Sequence, residues 1–179
     1  MLLRPKSFYI QLPQSGKKVK VFSLIQWNQF NDHFVRELVL SQKNSYPLLL
    51  PIESDVQKFV LKRHSWKNVF IVPCPAHQGP DHAEALAHSL ASLSRRPMLQ
   101  PLKRGSHKEQ KTKGRQQRQA TSMKWINKSS IFKEEPNVLF VDDIVTTGST
   151  VEAAYHLFQE RSCCGFDVFC LAYRQRRGR

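Results

Sequence analysis

Short apolar runs alternate with amphipathic segments along the second half of the chain. The runs "NVFIVP", "NVLFV" and "FDVFCLAY" have the length of strands, and their apolar residues are consecutive rather than alternating with polar ones. The segments "DHAEALAHSLASL" and "STVEAAYHLFQE" repeat apolar residues at helical spacing. Strands that are apolar on both faces and alternate with helices predict an α/β fold, a doubly wound parallel sheet with flanking helices.

The first 66 residues follow a weaker pattern. The stretch "KKVKVFSLI" predicts an edge strand after a turn at residues 14–16, and "NQFNDHFVRELVL" and "ESDVQKFVLKRH" predict two helices. We predict that residues 1–66 form a variable N-terminal hood or cap and that residues 67–179 form the core. The core carries a basic flexible loop at about 104–128 and a basic C-terminal tail, "RQRRGR".

Two adjacent acids follow the most apolar strand, in "VLFVDDIVTTGST". The strand is predicted over residues 138–141, Asp142 and Asp143 stand at its carboxyl end, and residues 144–148 form a turn before a helix. The turn offers hydroxyls and backbone N–H groups, which suit a phosphate. Carboxylates before a phosphate site suit a sugar, because they accept hydrogen bonds from vicinal hydroxyls or hold Mg²⁺. A helix cap alone would need fewer of these groups.

The same stretch closely resembles the ribose-phosphate signature of the type I phosphoribosyltransferases. The resemblance implies that Asp142 and Asp143 contact the ribose 2- and 3-hydroxyls of phosphoribosyl pyrophosphate, and that they hold Mg²⁺ indirectly, through ribose or water. The implied 5-phosphate loop consists of Thr146, Thr147, Gly148, Ser149 and Thr150. Thr146 stands where purine-salvage members carry an acid proposed as general base, which weighs against purine salvage.

Other segments resemble the same family, over residues 68–174. The loop implied to bind pyrophosphate consists of Cys74, Pro75, Ala76 and His77. The segment "DHAEALAHSLASL" and the following "EQKTKGRQQR" resemble the subgroup around the competence protein ComF and the related GntX. The four-cysteine zinc module common in that subgroup is not in this sequence, and "GPDHAEA" replaces its usual Arg-Gly-Phe-Asn run.

The charge balance points to a polyanionic partner. Basic residues outnumber acidic ones by 28 to 14, which gives a formal net charge of +14. A source whose proteins are generally basic is the alternative explanation. Residues 95–128 hold eleven basic residues and one acid.

This basic segment has two possible uses. In phosphoribosyl transfer, cations from a closing loop neutralise the leaving pyrophosphate and exclude water. The catalytic candidates in this role are Lys111, Lys113 and Arg115. Basic residues with an exposed aromatic also suit single-stranded nucleic acid, although a tryptophan there can instead pack locally. The nucleic-acid candidates are Arg104, Arg118, Lys124 and Trp125.

Two functions therefore remain open. In the first, the chain is a phosphoribosyltransferase that uses Mg²⁺ and transfers phosphoribosyl to a nitrogen nucleophile with release of pyrophosphate. In the second, it is a competence-type protein for natural transformation that binds single-stranded DNA during uptake and uses its ribose-phosphate site for sensing. The intact signature favours the first function. The threonine at position 146 and the basic charge favour the second.

The remaining features concern location and partners. The four cysteines include no C-x-x-C pair, so we interpret them as reduced thiols in a cytoplasmic protein. We see no signal peptide pattern and no run approaching the roughly 20 apolar residues of a membrane span. A homodimer or the competence machinery are the further interactions that we expect.

Overall fold

The helices and strands of the chain follow the apolar runs of its sequence. The computed structural model describes residues 6–27, 69–76, 82–105, 123–126 and 135–174, together with His33 and Val35. In chain order, the elements of this part are β1 (Lys6–Gln11), β2 (Lys18–Trp27), β3 (Val69–Pro73), α1 (His82–Ser94), β4 (Leu102–Arg104), β5 (Met123–Trp125), β6 (Asn137–Val145), α2 (Ser149–Gln159) and β7 (Gly165–Arg174).

Five of these strands form one sheet, in the order β1-β2-β7-β6-β3. Strands β2, β7, β6 and β3 are parallel to one another, whereas β1 pairs antiparallel with β2 at one edge. Consecutive residues of the inner strands are apolar because both faces of the sheet are covered, and Phe140, Val141 and Phe169 are all fully buried. The predicted α/β fold with a mainly parallel sheet is confirmed.

The two described helices pack on opposite faces of the sheet. Leu90 of α1 lies in one buried cluster with Leu139 of β6, and Phe158 of α2 lies in the other with Phe140 of β6. Burial of a side chain such as Leu90 or Phe158 stabilises the fold by about 1.5–3 kcal/mol. Packing on both faces holds β6 in place, and it thereby fixes the position of the residues that follow its apolar run.

The N-terminal strands belong to this sheet. Val19 and Val21 of β2 lie in the same buried cluster as Val138 of β6, and β2 pairs with β7 along most of its length. The prediction of an edge strand at β2 is wrong, because β1 covers its outer side. The described part of the expected N-terminal hood is therefore part of the core. The boundary at residue 66 stays a prediction, and the two predicted helices lie outside the described residues, except for His33 and Val35, which are helical.

The predicted basic loop has structured ends. Strands β4 and β5 pair antiparallel, with Leu102 opposite Trp125, so residues 123–125 form a strand and not a loop. Residues 106–122, which connect these strands, lie outside the described part of the chain. The pairing of β4 with β5 therefore fixes the two points at which residues 106–122 connect to the fold.

Two expectations from composition can be compared with the structure. All four cysteines are free thiols, as predicted. Neither helix in the described part of the chain is long and apolar enough to cross a membrane.

Candidate functional site

The two adjacent acids stand at the carboxyl edge of the sheet. β6 continues through Asp142 and Asp143 to Val145, so the strand is longer than predicted and the bend begins at Thr146. Asp142 is 7% exposed, and Asp143 is half-buried. The N–H of Asp143 donates a hydrogen bond of 3.0 Å to Oδ1 of Asp142, and the N–H of Ile144 donates one of 2.7 Å to Oδ1 of Asp143. These bonds orient both carboxylates.

The surroundings of Asp142 oppose its ionisation. Burial raises the pKa of Asp142 well above its ordinary value, the neighbouring carboxylate of Asp143 raises it further, and the positive charge of Arg104 acts in the opposite direction. Cys170 lies beside Asp142 on β7, and burial raises the pKa of this thiol to about 12. A ligand that donates hydrogen bonds to Asp142 would therefore favour its charged form.

The predicted phosphate loop lies at the N-terminus of α2. Thr146 is exposed, Thr147, Ser149 and Thr150 are half-buried, and Gly148 is buried at the start of the helix. Gly148 has a φ of +80°, a conformation that favours glycine. The hydroxyl oxygens of Thr147 and Ser149 are 2.9 Å apart. The N–H of Ser149 donates a hydrogen bond of 3.3 Å to Oγ1 of Thr147. N–H groups of a first helical turn, together with such hydroxyls, are the donors typical of an anion site.

The predicted pyrophosphate loop lies beside the acids. Its residues Cys74, Pro75 and Ala76 directly follow β3, the parallel neighbour of β6. The N–H of Cys74 donates a hydrogen bond of 2.7 Å to the carbonyl oxygen of Val141, the residue before Asp142. The structure therefore brings the two predicted loops to the same edge of the sheet. His77 lies outside the described residues.

Arg104 lies against the loop that follows β3. Its Nε donates a hydrogen bond of 2.7 Å to the carbonyl oxygen of Pro75, and a guanidinium N–H donates to Sγ of Cys74 at 3.4 Å. The sequence did not reveal this contact, because the partner residue is 29 positions away in the chain, and the assignment of Arg104 to nucleic acid stays a prediction. Arg104 thus brings a positive charge to the loop predicted to bind pyrophosphate.

Trp125 packs within the protein. Its ring meets the Phe158 ring edge-on at 5.1 Å, and the Arg161 guanidinium lies over it, 4.1 Å from the ring centroid. These contacts support local packing over an open stacking platform. Lys124 is exposed on β5. The other cationic candidates lie outside the described residues and stay predictions; they are Lys111, Lys113, Arg115 and Arg118.

Glu152 is a buried acid that sequence reasoning missed. It lies in the first turn of α2 and is 3% exposed. Its carboxylate accepts hydrogen bonds from the backbone N–H groups of Gln14 and Ser15, in the turn between β1 and β2. The only sequence signal was an acid among the apolar residues of a helix, which also suits the positive end of a helix dipole.

The acids at this edge suit a metal ion that arrives with its substrate. Among the described residues, no group of three or more histidine, cysteine or acidic side chains could hold an ion alone. Asp142 and Asp143 offer carboxylate oxygens, the ligands that Mg²⁺ prefers, and this ion commonly binds one or two carboxylates while it keeps waters and substrate phosphates. The donor set therefore fits Mg²⁺ bound through a phosphorylated ligand.

Comparison with solved structures returns phosphoribosyltransferases. A purine phosphoribosyltransferase from Pyrococcus horikoshii Ot3 is 14% identical with a TM-score of 0.42, over 83% of this chain and 77% of that one. A hypoxanthine phosphoribosyltransferase from Staphylococcus aureus is 17% identical with a TM-score of 0.43, over 71% of this chain and 69% of that one. No curated protein sequence matches the chain significantly.

The sequence itself matches a family model. The model describes a phosphoribosyl transferase domain, and it matches residues 51–179, which include both acids, the phosphate loop and the loop after β3. The chain therefore belongs to the phosphoribosyl transferase domain family.

Proposed function

We propose that the chain is a ComF-like phosphoribosyltransferase that binds phosphoribosyl pyrophosphate at the carboxyl edge of its sheet. One observation carries this proposal: Asp142 and Asp143 lie directly before a bend that ends at the N-terminus of α2. This arrangement places acceptors for sugar hydroxyls next to donors for a phosphate. A ribose 5-phosphate offers both kinds of group, hydroxyls and a phosphate.

The contacts of the edge suggest how the ligand is held. The two carboxylates accept hydrogen bonds from the ribose 2- and 3-hydroxyls, and the start of α2 holds the 5-phosphate. The pyrophosphate lies against residues 74–76, where Arg104 supplies positive charge. In the transfer step, the acceptor nitrogen forms a bond to C1 of the ribose and loses its proton. The C1–O bond breaks, and pyrophosphate leaves with the electron pair.

We also propose Mg²⁺ as the cofactor, held by Asp142 and Asp143 through ribose or water. The bound ion would neutralise part of the charge on the leaving pyrophosphate. The residues proposed to add positive charge there from the segment between β4 and β5 are Lys111, Lys113 and Arg115. Free thiols suit the reducing cytoplasm, where we place this reaction.

Calorimetry tests the ligand. Phosphoribosyl pyrophosphate with Mg²⁺ should bind the wild-type protein, and replacement of both acids, Asp142→Asn with Asp143→Asn, should abolish binding because the hydroxyl acceptors are changed. Asp167→Asn is the matched control, since Asp167 lies on β7 three residues before Cys170, the neighbour of Asp142. Equal binding by the wild type and the double variant would overturn the proposal.

A second candidate function is the binding of single-stranded DNA by a competence-type protein. The net charge of +14 supports it. The contacts of Arg104 and Trp125 do not, because both side chains are engaged within the protein. A labelled oligonucleotide distinguishes the candidates: binding that falls steeply with salt, in a protein without affinity for phosphoribosyl pyrophosphate, would favour the second function.

A further inference from the structure

We propose that the turn between β1 and β2, residues 12–17, positions the phosphate loop, and that Glu152 is the positioning residue that holds this turn in place. The inference rests on the proposed function, because the loop that it concerns is the one proposed to bind the 5-phosphate. The inference goes beyond the ligand contacts themselves. It states that the N-terminal hairpin, formed by β1 and β2, must pack against α2 for the phosphate subsite to have its shape.

The first observation is the bonding of Glu152. Both of its carboxylate oxygens accept the N–H of Gln14 at 3.0 Å, and Oε1 also accepts the N–H of Ser15 at 2.6 Å. Hydrogen bonds to a charged acceptor are stronger than neutral ones. The partners are separated by 138 and 137 positions in the chain. The bonds therefore tie the turn to the first turn of α2, and they are not a product of local sequence.

The second observation is that β1 and the turn after it both reach the phosphate loop. A Cβ placed on Gly148 would be 3.3 Å from Cδ1 of Ile10 and 3.8 Å from Cδ of Pro13. On its other side, the carbonyl oxygen of Gly148 accepts the N–H of Glu152 at 2.8 Å. Gly148, the last residue of the bend, is thus enclosed between the N-terminal hairpin and Glu152, the residue of α2 that binds this hairpin.

A favourable interaction with the helix dipole does not explain why the carboxylate of Glu152 is buried. An exposed carboxylate would serve that purpose, whereas burial of a charge is costly unless hydrogen bonds compensate. Burial raises the pKa of Glu152, but the N–H groups of Ser15 and Gln14 and the nearby His156 outweigh this effect, so the pKa lies below its usual value. The hairpin therefore stabilises the charged form that binds it.

The hairpin also comes from a different part of the chain than the loop it supports. The family match covers residues 51–179, so β1, β2 and their connecting turn lie before it. The bond to Glu152 joins this N-terminal part to the phosphate loop of the family domain. The hairpin thus adds a support for the loop from outside the matched region.

Separate titrations with ribose 5-phosphate and inorganic pyrophosphate test the inference. We expect Glu152→Gln to weaken ribose 5-phosphate binding about 10-fold, because small displacements of a positioning element cost that much or more. Pyrophosphate binding should not change, since the loop after β3 does not depend on these bonds. Glu84→Gln is the matched control: Glu84 is also in a first helical turn, and its carboxylate is 3.8 Å from a histidine four residues later, as in Glu152. This control should bind both ligands like the wild type.

Equal loss of both ligands in Glu152→Gln, or loss of neither, would overturn the inference. Hydrogen exchange gives a second readout that needs no ligand. Faster exchange at Gln14, Ser15 and the amides of residues 147–151 would support it, whereas faster exchange at the turn alone would refute it. A wild type that binds neither ligand would end the proposed function, and exchange would still decide whether the turn supports the loop.

Discussion

Asp142 shows a conflict between binding and stability within one side chain. A buried carboxyl next to Asp143 is a good acceptor for sugar hydroxyls, but its charged form is poorly solvated. Because the folded-state pKa is raised, this residue contributes stability below its unfolded pKa and loses that contribution as the pH rises through the folded-state pKa. At neutral pH, the ligand site therefore costs the protein part of its stability.

Asp142→Asn should increase the free energy of unfolding at neutral pH. We expect a gain of roughly 0.5–2 kcal/mol, the range typical when a destabilising feature of a site is removed. The gain should shrink towards pH 4, where the carboxyl of the unfolded wild type also becomes protonated. Urea unfolding between pH 4 and 8 measures both effects. A variant less stable than the wild type at neutral pH would contradict the sign of the raised pKa.

The residues of the site differ in how far the sequence could predict them. Asp142 and Asp143 were predictable because a strand, two acids and a hydroxyl-rich bend are consecutive in the chain. Arg104 and Glu152 were not, because each acts through a backbone group far away in sequence, a carbonyl for Arg104 and two N–H groups for Glu152. A sequence motif contains residues that are close together in the chain, whereas the contacts of Arg104 and Glu152 form only when the chain folds.

At the scale of elements, α2 connects two parts of the site. Its first turn meets the phosphate loop and the N-terminal hairpin, and near its last turn Phe158 and Arg161 enclose Trp125 of β5. β5 and its partner β4 form the base of the segment that contains the basic candidates. One helix thus contacts both the proposed phosphate subsite and the β4–β5 pair from which the basic segment extends.

Trp125→Ala should destabilise the protein through loss of packing against Phe158. We expect a loss of about 2 kcal/mol, less than for a fully buried tryptophan, and about 0.5–1 kcal/mol for the control Arg161→Ala, which removes the cation over the ring. Thermal or urea unfolding gives both values. A Trp125→Ala variant of unchanged stability that loses affinity for a single-stranded oligonucleotide would instead restore the stacking-platform hypothesis.

Elements were predictable where the apolar pattern was strong. β3, β6, β7 and both described helices follow from consecutive apolar runs and helical spacing. The position of β2 could not be predicted in this way, because its weak alternation suggested an edge strand. The pairing of β1 along its outer side depends on tertiary structure. β5 has only three residues and lies within a basic stretch. So short a strand has no pattern that distinguishes it from a loop.

At the scale of the whole molecule, the N-terminal hairpin and the family domain form one sheet. β2 pairs with β7, and the buried residues of β2 lie in the same clusters as those of β6. Phe22 of β2 is fully buried. Without this strand, one side of β7 would lose its hydrogen-bonding partner, and its apolar residues would be exposed to water.

A chain that starts at residue 67 should therefore fail to fold. The lost burial is comparable to the net stability of a typical domain, about 5–15 kcal/mol, because β2 contributes several buried apolar side chains, each worth about 1.5–3 kcal/mol. Circular dichroism and thermal unfolding of this shortened chain, beside the full one, provide the measurement. A cooperative transition in the shortened chain would show that residues 1–66 are a separate cap, as the sequence first suggested.

The strand order has a consequence for the moment at which the protein can fold during synthesis. β2 leaves the ribosome before its parallel partner β7, which is translated only after β3, β6 and both described helices. Until then the apolar β1–β2 hairpin has no sheet to join, and pairing between distant segments is intrinsically slow. Until β7 emerges, the growing chain thus exposes the apolar residues of β2, and exposed apolar surface of this kind increases the risk of aggregation.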